Sequence, residues 1–161
     1  MAVIKLSRRK LLLGAAGGAI AVGGVGLWLA IDRLNAQRFR TPVDRGGRFA
    51  PSVFLSIAPT GRITIWLTRA EMGQGVGTAL PMLIADELDA DWSAIEVQPA
   101  IAGDGHDYGN LFTVGSASVA SNWMELRQAG ASARSMLVSA AASLWGVQPY
   151  ACSTTQGHVL D

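Results

Sequence analysis

Three glycines alternate with other residues in Gly73-Gln74-Gly75-Val76-Gly77-Thr78, between a strand-like segment and a helix-like one. Backbone N–H groups at the start of a helix are free, and the local dipole there favours a phosphate or another anion. Glycine lets a ligand come close to the backbone, while Gln74 adds amide donors and an acceptor. The same residues also suit a turn that only reverses the chain. Two familiar phosphate loops are excluded. A P-loop ends in Gly-Lys-Ser/Thr, and no lysine follows Lys10. A dinucleotide-binding G-x-G-x-x-G beginning at Gly73 needs glycine where Thr78 stands, and its ribose-binding acid falls near Gln98.

Other reactive side chains are sparse. His106 and Asp107 lie in a loop without metal-ligand spacing. Cys152 is the single cysteine, which leaves no intramolecular disulfide and no Cys-based zinc or iron–sulfur site within this chain. It reads as a packed small hydrophobe.

The elements that position the glycine turn follow from periodicity. Val53-Phe54-Leu55-Ser56-Ile57 reads as a strand and Pro59-Thr60-Gly61 as a turn. Arg62-Ile63-Thr64-Ile65-Trp66-Leu67 alternates like a strand with one buried face, completing a β-hairpin. After the glycine turn, Leu80, Leu83, Ile84, Glu87 and Leu88 recur at helical spacing with one acidic member, and Pro81 fits the first turn. Asp89-Ala90-Asp91 breaks that helix, Ile95-Glu96-Val97 suggests a strand, and residues 103–118 are loop-like. Asn122-x-x-Glu125 suggests a capping box that opens a long helix. Its stripe runs through Trp123, Leu126, Gly130, Ala133, Leu137, Ala140 and Leu144, with small residues in the middle that let a neighbour approach closely. Gly146 and Pro149 end it, and Val159-Leu160 begins a further strand. The β-β-α-β-α order predicts an α+β fold, a small sheet with two packed helices, after an N-terminal apolar helix.

That apolar helix belongs to a leader, residues 1–31. Ser7-Arg8-Arg9-Lys10 precedes an uncharged run over residues 11–31 that contains six glycines. Paired arginines before such a run read as a twin-arginine export signal; the alternative, which overlaps with it, is an ordinary membrane anchor obeying the positive-inside rule. As a helix the run is about 31 Å long, enough to span a bilayer. No clean Ala-x-Ala site follows it, which favours retention, with the remaining chain on the periplasmic side of the bacterial inner membrane. Residues 32–50 read as a linker and residues 51–161 as one small domain. Removing the leader's four basic residues from the thirteen leaves nine arginines against twelve acids, so the body carries a net −3. Nothing in that balance invokes nucleic acid.

Glu71-Met72-Gly73-Gln74-Gly75-Val76 followed by Thr78 resembles the molybdopterin-binding loop of the xanthine dehydrogenase and aldehyde oxidase family. The likeness is in particular to large subunits of the isoquinoline 1-oxidoreductase and membrane-bound bacterial aldehyde dehydrogenase type. Phe54-Leu55-Ser56-Ile57 with Gly61-Arg62-Ile63-Thr64-Ile65, and Asp86-Glu87-Leu88-Asp89 with Asp91-Trp92, are similar as well. Gly115-Ser116-Ala117-Ser118, Leu126-Arg127-Gln128-Ala129-Gly130-Ala131, and Cys152 with Gly157-His158-Val159 continue it from about Pro51 to the end.

The resemblance implies a pyranopterin cofactor that carries molybdenum, molybdopterin in its cytosine dinucleotide form. Gly73, Gln74, Gly75 and the adjoining Val76 would meet its pterin and phosphate portion, and Ser116, Ala117 and Ser118 would meet it from the next helix start. Ser116, Ser118 and Ser121 serve equally well as capping residues. Glu71 is either an acid near the cofactor or a solvated or ion-paired surface carboxylate. The family's large subunits are several times longer, and its glutamate base lies beyond the matched region, so no catalytic residue or metal ligand is assigned. The implied activity is oxidation of aldehydes or N-heteroaromatics with water as the oxygen source, in which this chain is the amino-terminal part of a large subunit. The implied partners are the remainder of that subunit, a 2Fe-2S small subunit carrying the Fe-S clusters, a membrane cytochrome c, and the membrane itself. The alternative is a membrane-tethered periplasmic interaction domain without cofactor or activity.

Overall fold

A computed structural model describes residues 45–161, which lie within one compact unit, Arg38–Asp161. The leader and most of the expected linker fall outside the described residues. Strands β1 (Phe49–Ser52), β2 (Leu55–Ile57), β3 (Ile63–Leu67) and β4 (Ile95–Pro99) form one sheet in that spatial order. The first three are antiparallel neighbours, and β4 runs parallel to β3, with Ile63 opposite Ile95 and Leu67 opposite Pro99. A parallel neighbour needs a crossover, and helix α1 (Val76–Leu88) supplies it. Helix α2 (Ser118–Trp145) packs along α1, and β5 (Ser153–Thr155) with β6 (His158–Leu160) makes a separate hairpin. This is the expected α+β arrangement of a small sheet and two packed helices.

Several local expectations give way to packing. Of the strand expected over residues 53–57 only β2 forms, because Val53-Phe54 is the turn that joins it to β1, and Phe54 is only 2% exposed. Its amide donates to Ser52 Oγ at 3.3 Å and its carbonyl accepts from the Trp66 amide at 2.9 Å, which closes an apolar turn without solvent. Residues 49–50, expected in the linker, belong to β1.

β3 is buried on both faces rather than one. Ile63 and Ile65 join the core with Leu80, Ile84 and Leu126. On the other face Arg48 Nη2 donates to Thr64 Oγ1 at 2.8 Å, and the Arg45 guanidinium lies 3.8 Å from the Trp66 ring centroid. The stems and planar heads of two linker arginines thus cover what alternation presents as a solvent face.

α2 starts four residues before the expected capping box. Ala117 is its N-cap, without a side-chain cap bond, and Asn122 lies inside the helix at 2% exposure. Asn122 Nδ2 donates to the Ser118 carbonyl of its own helix at 2.7 Å and its Oδ1 accepts from Thr68 Oγ1 at 3.2 Å, so its polarity is divided between the helix backbone and one tertiary bond. The stripe holds in its middle, where Leu126, Gly130 and Ala133 are buried, and fails at Trp123, Ala140 and Leu144, which are exposed. α1 has 13 residues against 28 in α2, so it covers only part of its partner. Glu87, the acidic member of the α1 pattern, accepts from Arg127 Nε on α2 at 2.6 Å. The turn between β5 and β6, Gln156-Gly157, has φ of 45° and 80°, the two left-handed residues of a tight hairpin. The Gly157 amide donates to the Asp89 carbonyl at the end of α1.

The helices approach closely at Gly130, where a Cβ would stand 2.5 Å from the Ile84 carbonyl oxygen and 3.0 Å from Glu87 Cβ. Gly130→Ala gains helix propensity of roughly 1 kcal/mol. It must nevertheless force the helices apart, at a cost of about 1–3 kcal/mol. A denaturant melt should show net destabilisation.

Candidate functional site

The glycine turn connects β3 to α1 and is organised by its own glutamate. Glu71 Oε1 accepts from the amides of Gly73 at 2.7 Å and Gly75 at 3.1 Å, and Oε2 accepts from Gly77 at 2.6 Å. Gly73 and Gly75 have φ of 90° and 86°, conformations that glycine alone adopts without cost. Gly75 is the N-cap of α1 and makes no side-chain cap bond, so the Glu71 carboxylate does that work from a distance. It also sits at the positive end of the helix dipole. The Glu71 carboxyl is held below its ordinary pKa chiefly by the Gly77 and Gly75 amides, on a residue at the surface. It is therefore neither a freely solvated nor an ion-paired carboxylate.

Gln74 turns inward as well. Its Oε1 accepts from the Met72 amide at 2.6 Å and its Nε2 donates to the Ala70 carbonyl at 2.8 Å. The donors and acceptor that the sequence offers to a ligand serve the loop first. Val76 is buried at the helix start. Apart from the adjacent residues in the chain, no atom lies within 4 Å of where a Cβ on Gly73 or Gly75 would stand, so the outer side of the turn is open.

The second segment has a different construction. Ser116 is left-handed at φ 53°, and Ala117 precedes the helix. Neither Ser116 nor Ser118 caps α2 through its hydroxyl. Ala117 and Ser118 line a cavity of about 300 Å³ with Arg69, Tyr108, Phe112 and Glu125, and Gly73 to Val76 are not among its lining residues. A larger cavity of about 700 Å³, between Arg62, Arg134 and His158, contains none of the seven expected site residues. The larger space is therefore not where the sequence places the chemistry.

Three consecutive residues link the two segments. Thr68 bonds Asn122, and the Ala70 amide donates to Thr113 Oγ1 at 2.8 Å. Between them, Arg69 is 8% exposed and donates to the carbonyls of Thr68 and Asn110 and to Ser121 Oγ. Burial lowers its pKa, with Glu125 opposing that shift. Sequence reasoning passed over Arg69, although a cation between an apolar strand and a glycine turn is a visible signal. Arg45 was also missed. It donates to Tyr108 Oη at 2.9 Å, and Tyr108 donates to Asp104 Oδ2 at 2.7 Å. Burial pushes the Tyr108 pKa up, while its hydroxyl holds Asp104 below the usual carboxylate range. His106 and Asp107 bond within this loop, and no metal-ligating cluster occurs among the described residues.

The glycine turn at one helix start is thus joined to a second helix start through a buried arginine. The model of the molybdopterin cofactor-binding domain family matches residues 11–161, and the chain belongs to that family. It is 36% identical over 156 residues to membrane-bound aldehyde dehydrogenase of Gluconacetobacter polyoxogenes, whose name specifies pyrroloquinoline quinone. It is 40% identical over 117 residues to isoquinoline 1-oxidoreductase subunit beta of Brevundimonas diminuta. These matches cover 94% and 69% of this chain but only 20% and 15% of the relatives, so the chain spans a small part of their length.

The lowered Glu71 pKa fixes the sign of a pH effect. A carboxyl whose pKa falls on folding adds stability above its ordinary range and loses it as pH drops through the lowered value. Amide resonances of Gly73, Gly75 and Gly77 should titrate together, with a midpoint below that of an ordinary glutamate.

Proposed function

We propose that this chain forms one wall of the molybdopterin site of a molybdenum hydroxylase large subunit. Gly73, Gln74, Gly75 and Val76 face the cofactor from one side, and Ser116, Ala117 and Ser118 from the other. The observation that carries this reading is the open outer side of a left-handed glycine turn, where a planar or phosphate-bearing ligand can reach the backbone. The residues fit such a group. The cavity of about 300 Å³ beside Ala117 and Ser118 is at the small end of small-molecule sites and does not include the glycine turn, which suits a wall better than an enclosure.

Bound there in its cytosine dinucleotide form, the cofactor would supply the redox centre for oxidising an aldehyde or an N-heteroaromatic ring with oxygen from water. This chain's own residues bind and orient. Gly73 and Gly75 admit the ligand to the backbone, α1 and α2 present their N-terminal ends, and Arg69 fixes the spacing between the segments. The remainder of the large subunit would complete the pocket, and electrons would leave through a 2Fe-2S small subunit and a membrane cytochrome c. Export by the twin-arginine route would place the assembly on the periplasmic side of the inner membrane, tethered by residues 11–31. Among the described residues no helix is long and apolar enough to cross a membrane.

The test is to co-express the chain with the rest of its large subunit under molybdenum-replete conditions and assay molybdenum and pterin. Both should be present. Absence of both, or recovery of pyrroloquinoline quinone in their place, overturns the assignment. The Gln74→Ala, Gly75→Ala pair forces a left-handed alanine costing about 1–2 kcal/mol, and should reduce cofactor retention roughly 5- to 30-fold with membrane association intact.

A further inference from the structure

The glycine turn is an anion nest that already contains an anion. Alternate amides of Gly73, Gly75 and Gly77 converge on the Glu71 carboxylate, which uses both oxygens to receive them. Successive backbone N–H groups arranged in this way form the concavities that bind phosphates elsewhere. Here the carboxylate comes from the same loop, two residues before the first amide it holds.

The third glycine supports this from a separate direction. Gly73 and Gly75 have positive φ, but Gly77 does not, so conformation alone does not call for glycine at 77. A Cβ on Gly77 would stand 3.0 Å from Glu71 Oε2, tighter than ordinary contact. Gly77 is thus explained by the carboxylate it accommodates. The intervening amides of Gln74 and Val76 bond no group among the described residues. A phosphate entering the nest would have to expel Glu71 or lie against a like charge.

We propose that Glu71 is a positioning residue for the cofactor turn, the nest's resident anion, which sets the loop before loading and leaves the Gln74 and Val76 amides to the ligand. The ligand half of this statement rests on the molybdopterin reading above.

The test compares the isotope-labelled full chain with its Glu71→Ala and Glu71→Gln variants by amide exchange and by titration with inorganic phosphate. In the parent chain the amides of Gly73, Gly75 and Gly77 should exchange about tenfold or more slower than in Glu71→Ala. Phosphate should leave these resonances unmoved in the parent and shift all three saturably in Glu71→Ala, where the nest is vacant. Glu71→Gln, which is isosteric and uncharged, should give intermediate exchange. Equal exchange in the parent and both variants overturns the proposal, as do saturable shifts of the three amides in the parent. Molybdenum and pterin in the co-expressed complex form a separate arm. Their absence with the exchange pattern intact defeats the cofactor reading and leaves the role of Glu71 standing.

Discussion

Burial of β3 on both faces is the constraint from which the rest follows. A strand enclosed this way needs cover above and below, and the chain supplies it from distant places. α1 and α2 cover Ile63 and Ile65, while Arg45 and Arg48 cover Trp66 and Thr64. With β3 fixed, its continuation through Thr68, Arg69 and Ala70 is fixed too, and these residues carry the glycine turn on one side and anchor the start of α2 on the other. The site is therefore an outgrowth of the central strand.

Polar groups near the site are consumed internally before any ligand arrives. Glu71, Gln74, Asn122 and Arg69 each face backbone amides or carbonyls. Irregular loops near a core leave many backbone groups that must find partners, and short polar side chains are the local supply. The loop's shape is thus largely set by its own side chains, which matches the preorganisation that binding sites require.

The two helices, the strands β2 to β4 and the glycine turn were readable because each is a local pattern, while β1 begins in what reads as linker. Leu80, Ile84 and Leu88 could only be one face of a helix, and Gly130 announced a close approach that the structure places against Ile84. What stayed hidden depended on distance along the chain. Alternation in β3 could not show that Arg45, 21 residues upstream, stacks on Trp66. The β5 strand escaped notice because Ser153-Thr154-Thr155 lacks apolar character, although Gln156-Gly157 was a turn signal. Among the site residues, the Gly73 to Val76 turn was visible as chemistry. The inward use of Glu71 was not, since only the loop's curvature brings three amides to one carboxylate.

Arg45 and Arg48 also define how far the chain can be trimmed. The stacking on Trp66 and the bond to Thr64 both come from this short segment. A cut after Arg48 removes both arginines and bares an indole and a threonine at the centre of the sheet. Trimming the described domain from its amino-terminal side therefore has a physical limit, set by two side chains.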